Sequence, residues 1–356
     1  MANLSKIRIA AIGLGWVSQH RHLPSIRRNP AFELAGVIDR HPGHAAAVAK
    51  RFGLKHHAAT ADLGQVPWLN EIDALVIGSA PMSHAALANQ ALAMGKHVLT
   101  EKPFCMNCAE GESMVNAARH AGRILAIVHN FQFSKAARKL ERDIAAGRFG
   151  TIRRIAAVQL GNPRRRLPVW YPGLPLGLFY DESPHFFYLL RKFAGGEMRL
   201  VSGHSLKASA SAQDTGSTPA AVSLSYRAAG GLPVTIDCNF ESPVSEWYLT
   251  VHGEKALGIV DIFRDIYIHL PNDHQHSPLQ IIRSSALATL QHWVQHVPNG
   301  VQYLTGRLDY GNDEVFARFA RAIHTATPPQ GISDEDALSV LRMQHEAIAA
   351  ANAAAY

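Results

Sequence analysis

Gly95-Lys96-His97-Val98-Leu99-Thr100-Glu101-Lys102-Pro103 reads as a helix stop, then a short β-strand that ends on a glutamate, a lysine and a proline. In a nucleotide-binding sheet, ligands bind at the carboxyl ends of the strands. The stretch therefore places Lys102 at such an edge. Upstream lies a glycine-rich turn, Gly13-Leu14-Gly15-Trp16-Val17-Ser18, and downstream an Asp-x-x-x-His pair, Asp181 and His185.

Working outward, the first 130 residues alternate between strands and helices. Strands are predicted at Ile7–Ile12, Leu34–Asp39, Ile72–Gly78, His97–Glu101 and Ile124–His129, and helices at Val17–Arg28, Pro42–Phe52, Ser83–Met94 and Cys108–Ala121. This is the pattern of a parallel sheet covered on both faces. After residue 130 the grammar changes. A helix at Ser134–Ala146 is followed by strand-like runs at Ile152–Leu160, Leu200–Ala208, Ala220–Tyr226, Pro233–Phe240, Glu246–His252, Gly258–Phe263 and Ile266–Leu270. Tight turns join several of these, which points to a largely antiparallel sheet. Helices are predicted at Glu182–Phe193, Leu279–Val294, Asp313–His324 and Asp334–Ala350. The expected fold is α/β, with a Rossmann dinucleotide-binding domain at 1–130 and a second α/β domain with an open sheet at 131–356.

The chain has 356 residues, 47% hydrophobic and 18% charged, as in an ordinary globular enzyme. No apolar run reaches the roughly 20 residues that span a bilayer, and the N-terminus reads as a first strand rather than a signal peptide. A cytoplasmic protein without a membrane partner is expected. The charge is +7, but Lys and Arg are scattered and no nucleic-acid motif is visible. An anionic small molecule is a better use of that charge. Cys105 and Cys108 read as two small residues at a helix start, because no second cluster completes a zinc site. His269, Asp273, His274 and His276 match no standard metal spacing. No metal is expected.

In the glycine turn, Gly13 allows the tight bend, Gly15 lets a pyrophosphate approach, and Ser18 permits close helix–strand packing where glycine or alanine is usual. The helix start offers free N–H groups and a positive dipole end to phosphates. Asp39 ends the second strand, 21 residues after Ser18. There it can accept ribose hydroxyls and repel a 2′-phosphate, which favours NAD over NADP. Arg40 pulls the other way, since it can pair with that phosphate. Asp181 and His185 are four apart and share a helix face. Asp181 reads as an N-cap and Pro184 as a first-turn residue. An imidazole there can take a hydroxyl proton, and a lysine on the sheet edge can hold the substrate oxygen.

These pieces resemble the Gfo/Idh/MocA family: glucose–fructose oxidoreductase, inositol dehydrogenase and their relatives. The resemblance rests on Gly13–Ser18, Ala80-Pro81-Met82-Ser83-His84 after the strand Ile72–Gly78, Gly95–Pro103 with its Glu-Lys-Pro, Asp181 with His185, Glu246–Asp261, and Tyr310–Phe316. It implies hydride transfer between a nicotinamide and a sugar, cyclitol or sugar-derivative carbinol, and a homodimer or homotetramer formed through the second sheet. Lys102 and His185 would handle the proton, with Asp181 as the companion carboxylate. The cofactor residues would be Gly13, Gly15, Trp16, Val17, Ser18, Asp39, Arg40, Ser79, Ala80, Pro81, His84, Glu101, Lys102 and Asn130. A cis peptide before Pro103 would fix the lysine's direction.

The chain departs from the family at Gln132, where an arginine is often found, and in the loop Arg164–Gly177. That loop carries three arginines, three prolines and the pair Trp170–Tyr171. Gln132, Arg164, Arg165, Trp170 and Tyr171 are candidate substrate residues, or the loop is a solvated or interface segment. The arginines suit a carboxylate or phosphate. They leave open a nucleotide sugar, uronic acid or glycoside as substrate with tightly held NAD. A non-catalytic cofactor-sensing regulator is a third reading.

Overall fold

The computed structural model describes residues 5–209 and 217–355. It divides the chain into two compact units, residues 1–130 with 311–342, and residues 131–310 with 343–356.

In the first unit the strands are β1 (Ile7–Ile12), β2 (Phe32–Ile38), β3 (His56–Ala58), β4 (Ala74–Ile77), β5 (His97–Thr100) and β6 (Leu125–Ile127). The helices are α1 (Leu23–Arg28), α2 (Pro42–Arg51), α3 (His84–Ala93) and α4 (Cys108–Ala121). The strand order is β3-β2-β1-β4-β5-β6 and every pairing is parallel. This is the doubly wound order whose reversal point lies between β1 and β4. All four residues of β4 are fully buried. Covered on both faces, Leu75, Val76 and Ile77 each contribute about 1.5–3 kcal/mol.

Three local features differ from the sequence reading. The three-residue strand β3 carries no apolar run that would announce it. The predicted helix Val17–Arg28 contains a π-helical turn, Ser18–His22, in which Leu23 N–H reaches back to Ser18 C=O. Pro24, one residue on, has no N–H for an ordinary turn at this point. The third concerns the chain's course. Residues 311–342 return to the first unit, so a single cut at 130 does not describe the chain. Phe316 and Phe319 pack on Phe32, Arg28 pairs with Asp313 at 2.7 Å, and Ser333 bridges Ala126 on the edge strand β6.

The second unit contains α5 (Lys135–Ala145), β7 (Ile152–Leu160), α6 (Leu178–Ala194), β8 (Arg199–Leu206), β9 (Ala221–Arg227), β10 (Pro233–Asn239), β11 (Glu246–Gly253), β12 (Ala256–Asp261), β13 (Ile266–Pro271) and α7 (Pro278–Leu304). After it come α8 (Asn312–Thr325) in the first unit and α9 (Asp334–Ala353), which runs across the division at 342. The sheet order is β13-β12-β11-β7-β10-β9-β8. Among the described residues only its β7–β10 pair is parallel. Burial alternates along β7, β10 and β11, so one face of the sheet is core. α5 and α6 cover it.

No helix among the described residues is long and apolar enough to cross a membrane.

Candidate active site

The site residues are described within each unit. In the first unit, Gly13 has φ +79°, and a Cβ there would lie 2.4 Å from Ser79 N. Ser18 Oγ donates to Gly13 C=O at 2.5 Å, and a Cβ on Gly78 would strike that same serine oxygen. The serine thus takes the place of a smaller residue by tying helix to loop. A Cβ on Gly15 would meet nothing within 4 Å. Packing does not demand glycine there, whereas the close approach of a pyrophosphate does. The turn fits a dinucleotide. Asp39 closes this loop from β2: it accepts Leu14 N–H and His41 N–H, both at 2.9 Å. Arg40 and Trp16 are exposed beside it.

Lys102 follows β5 and is joined to Pro103 by a cis peptide. Glu101 is buried and bidentate. Its Oε1 accepts His22 Nε2 at 2.8 Å, and its Oε2 accepts Lys102 N–H at 2.9 Å. Burial pushes the Glu101 carboxyl upward. The His22 hydrogen bond and charge, the Lys102 charge and the Lys102 N–H outweigh it, so the net shift is down. Glu101 is therefore a carboxylate at neutral pH and His22 is its donor. His22 is wholly buried. Together the two hold the backbone at Lys102.

His84, expected among the cofactor residues, is instead completely buried. Its Nδ1 lies 2.9 Å from Pro103 C=O and its Nε2 3.0 Å from Ser79 C=O. It fastens the turn after β4 to the turn after β5, and burial lowers its pKa despite those carbonyls. Ser79 Oγ pairs with Ser83 Oγ at 2.7 Å. Pro81 and Asn130 are buried and Ala80 is half-buried.

In the second unit, α6 begins at Leu178, four residues earlier than predicted. Thr218 Oγ1 accepts Leu178 N–H at 3.0 Å, a cap contributed from forty residues away. Asp181 is thus not the N-cap but lies inside the helix, and Pro184 falls in the second turn. A proline there leaves Tyr180 C=O without its i+4 donor. Gln344 Nε2 supplies one at 2.5 Å, and also reaches Ser183 Oγ. This keeps the helix continuous, so Asp181 and His185 stay on one face.

Both are buried. His185 Nδ1 is 2.8 Å from Tyr188 Oη, which accepts Phe131 N–H at 3.0 Å. The imidazole ring lies 4.5 Å from the Phe131 ring and 5.6 Å from Trp247, centroid to centroid. Between Asp181 and His185, Glu182 points into the sheet. Its carboxylate accepts hydrogen bonds from Arg165 and Gln159. Arg165 therefore ties the Arg164–Gly177 loop to α6. In the same loop Arg164 and Arg166 are exposed, Trp170 is half-buried and Tyr171 is buried, as is Gln132 near His185's partner Phe131.

His22, Glu182, Gln159, Tyr188 and Gln344 were not legible as site residues. Each acts through a partner distant in sequence or through a helix start the sequence misplaces. The Cys105 thiol is pushed up to about 12 by burial, which suits a packed side chain and not a redox thiolate. Among the described residues no group of three or more His, Cys, Asp or Glu side chains is arranged to hold a metal.

Comparison with known proteins bears on both units. Residues 7–129 match the model of the oxidoreductase family with an NAD-binding Rossmann fold, and residues 137–257 match the GFO/IDH/MocA C-terminal domain. A scyllo-inositol 2-dehydrogenase (NADP(+)) of Bacillus subtilis (strain 168) is 35% identical over 153 residues, 42% of this chain and 44% of that protein. A dTDP-3,4-didehydro-2,6-dideoxy-alpha-D-glucose 3-reductase of Streptomyces violaceoruber is 28% identical over 195 residues, 54% and 56% of the two chains. The matched stretches span about a third to a little over half of the curated relatives' length. GenD2 from gentamicin A biosynthesis, solved in complex with NAD, shares the fold. Its TM-score is 0.75 at 18% identity, over 99% of this chain and 95% of that one.

Proposed function

Because the chain belongs to the Gfo/Idh/MocA oxidoreductase family, we propose that it transfers a hydride between a nicotinamide dinucleotide and a secondary carbinol of a sugar, cyclitol or sugar derivative. The carrying observation is Lys102 at the carboxyl end of β5, its backbone held by the buried His22–Glu101 pair. When bound, the nicotinamide supplies the hydride acceptor, or the donor in reverse. Lys102 holds the substrate oxygen. His185 takes the hydroxyl proton at Nε2 as the carbon gives up hydride, and returns it in the opposite direction. For that, Nδ1–H donates to Tyr188 Oη, whose two lone pairs are then used by His185 and Phe131 N–H. Asp181 is the companion carboxylate on the same helix face.

Gly13, Gly15, Trp16, Val17, Ser18, Asp39, Arg40, Ser79, Ala80, Pro81, Glu101 and Asn130 form the cofactor side of this reading. Asp39 supports NAD, since its carboxylate would repel a 2′-phosphate, and the exposed Arg40 would serve NADP. Self-association through the second sheet and a cytoplasmic location belong to the same proposal. A second reading, an anionic substrate such as a nucleotide sugar or uronic acid, rests on the exposed Arg164 and Arg166 beside Trp170. Gln132 and Tyr171 are buried and would shape the wall rather than grip a ligand.

The test is Lys102→Met. Turnover should fall at least ~10²-fold while NAD binding is retained. Near-normal turnover would sink the assignment. NAD binding by the wild type without turnover across a panel of polyols, uronic acids and nucleotide sugars would favour a cofactor-sensing regulator.

A further inference from the structure

α7 is built inside out. Its face toward the sheet is polar. Gln291 accepts His269 N–H and donates to His269 C=O, both at 2.9 Å. Gln295 does the same at Tyr267, at 3.1 and 2.8 Å. Asn299 donates to Arg264 C=O and Asp265 C=O. Amides four apart on a helix rise about 6 Å, close to the roughly 6.7 Å between alternate residues of a strand. They stand where another strand's backbone would be and close the edge of β13.

The opposite face is apolar and exposed. Arg283 is the one residue of the 27 with a fixed charge. A surface helix ordinarily turns its apolar stripe inward and its charges outward. Here the exposed stripe runs Leu279, Ile282, Ala286 and Leu290, then Trp293, Val297, Val301 and Leu304. Its steps of 3, 4, 4, 3, 4, 4 and 3 residues read the same in both directions. An antiparallel copy turned about a two-fold axis between Gln291 and His292 would set Leu279 against Leu304 and Ile282 against Val301. It would likewise set Ala286 against Val297 and Leu290 against Trp293. Such self-complementarity is what a two-fold interface requires.

We infer that α7 is a self-association surface on which a second copy of this chain docks antiparallel. Apart from Ala286, each stripe residue is more than half exposed. Together they offer on the order of 900 Å² of apolar surface per copy, against roughly 800 Å² per partner in a standard interface. The area, and the match of the stripe with its own antiparallel copy, favour a second copy of this chain as the occupant. The inference is independent of the reaction proposed above and concerns a different surface from the sheet's open face.

Sedimentation of the full chain tests it. The wild-type mass is expected to be an even multiple of 38.8 kDa, and Leu290→Glu or Trp293→Lys should each halve it at micromolar concentration. An equimolar mixture of the two variants should recover the assembly, because the carboxylate introduced at position 290 of one copy then meets the ammonium introduced at position 293 of the other. Both positions are exposed, and circular dichroism checks that the variants fold. A wild-type monomer, a mass unchanged by either variant, or a mixture that stays dissociated would overturn the inference. So would a monomer that floats with phosphatidylglycerol vesicles, which would give the face to a membrane.

Discussion

Replacing His22 by leucine tests how Lys102 is held. The variant removes the donor on Oε1 of a buried carboxylate while the Lys102 N–H on Oε2 remains. Losing one partner of a buried pair costs about 3–5 kcal/mol. The surviving bond argues for less than that, about 2–3 kcal/mol, in line with hydrogen bonds to charged groups. For a unit of this size that is roughly a 5–10 °C fall in Tm at pH 7. The acid profile is more diagnostic. In the wild type the Glu101 pKa is depressed. Its contribution is thus present above the unfolded value and fades as pH falls through the folded one. In His22→Leu the two His22 contributions to that depression are gone, so the carboxylate adds less stability above the unfolded value. The stability gap between the two proteins should therefore widen from about pH 4 to pH 6. Glu101→Gln should show neither slope. Urea unfolding at several pH values measures the gap. Parallel profiles, or a gap under about 1 kcal/mol at pH 6, would refute the coupling.

Three further outcomes follow from the second unit and the cofactor loop. Tyr188→Phe should lower kcat by about 10-fold with little change in KM and shift the acid limb of the pH–rate profile, because the imidazole loses its orienting oxygen. Gln344→Leu should cost about 1–3 kcal/mol by removing the buried amide that donates to Tyr180 C=O and reaches Ser183 Oγ, and adding Pro184→Ala should recover part of it in thermal melts. Asp39→Ala should raise the Kd for NAD more than that for NADP, measured by cofactor titration.

The first sheet was legible because parallel strands buried on both faces are continuous apolar runs, as at Ile72–Gly78, and because Gly13 and Gly15 punctuate a strand and a helix. Lys102 stood out as a lysine on such a strand end. His22 did not, since nothing local says that a histidine in a helix will meet a glutamate 79 residues on. The start of α6 was misplaced for the same reason: Asp181 is a strong local cap, but Thr218 wins from forty residues on. The return of residues 311–342 to the first unit depends on Phe316, Phe319 and Phe32 finding one another. Apolar helix faces do not name their destination.

The amide-lined inner face of α7 has a thermal consequence. With glutamines and an asparagine spent on β13, what is left to hold a partner is almost purely apolar. Such an interface has no ion pairs for salt to screen. It should strengthen on modest warming and in sulfate, and loosen in the cold, where the hydrophobic drive weakens. Chilled, dilute stocks would then hold separated chains whose outer helix face lies open, and rewarming would bring the assembly back.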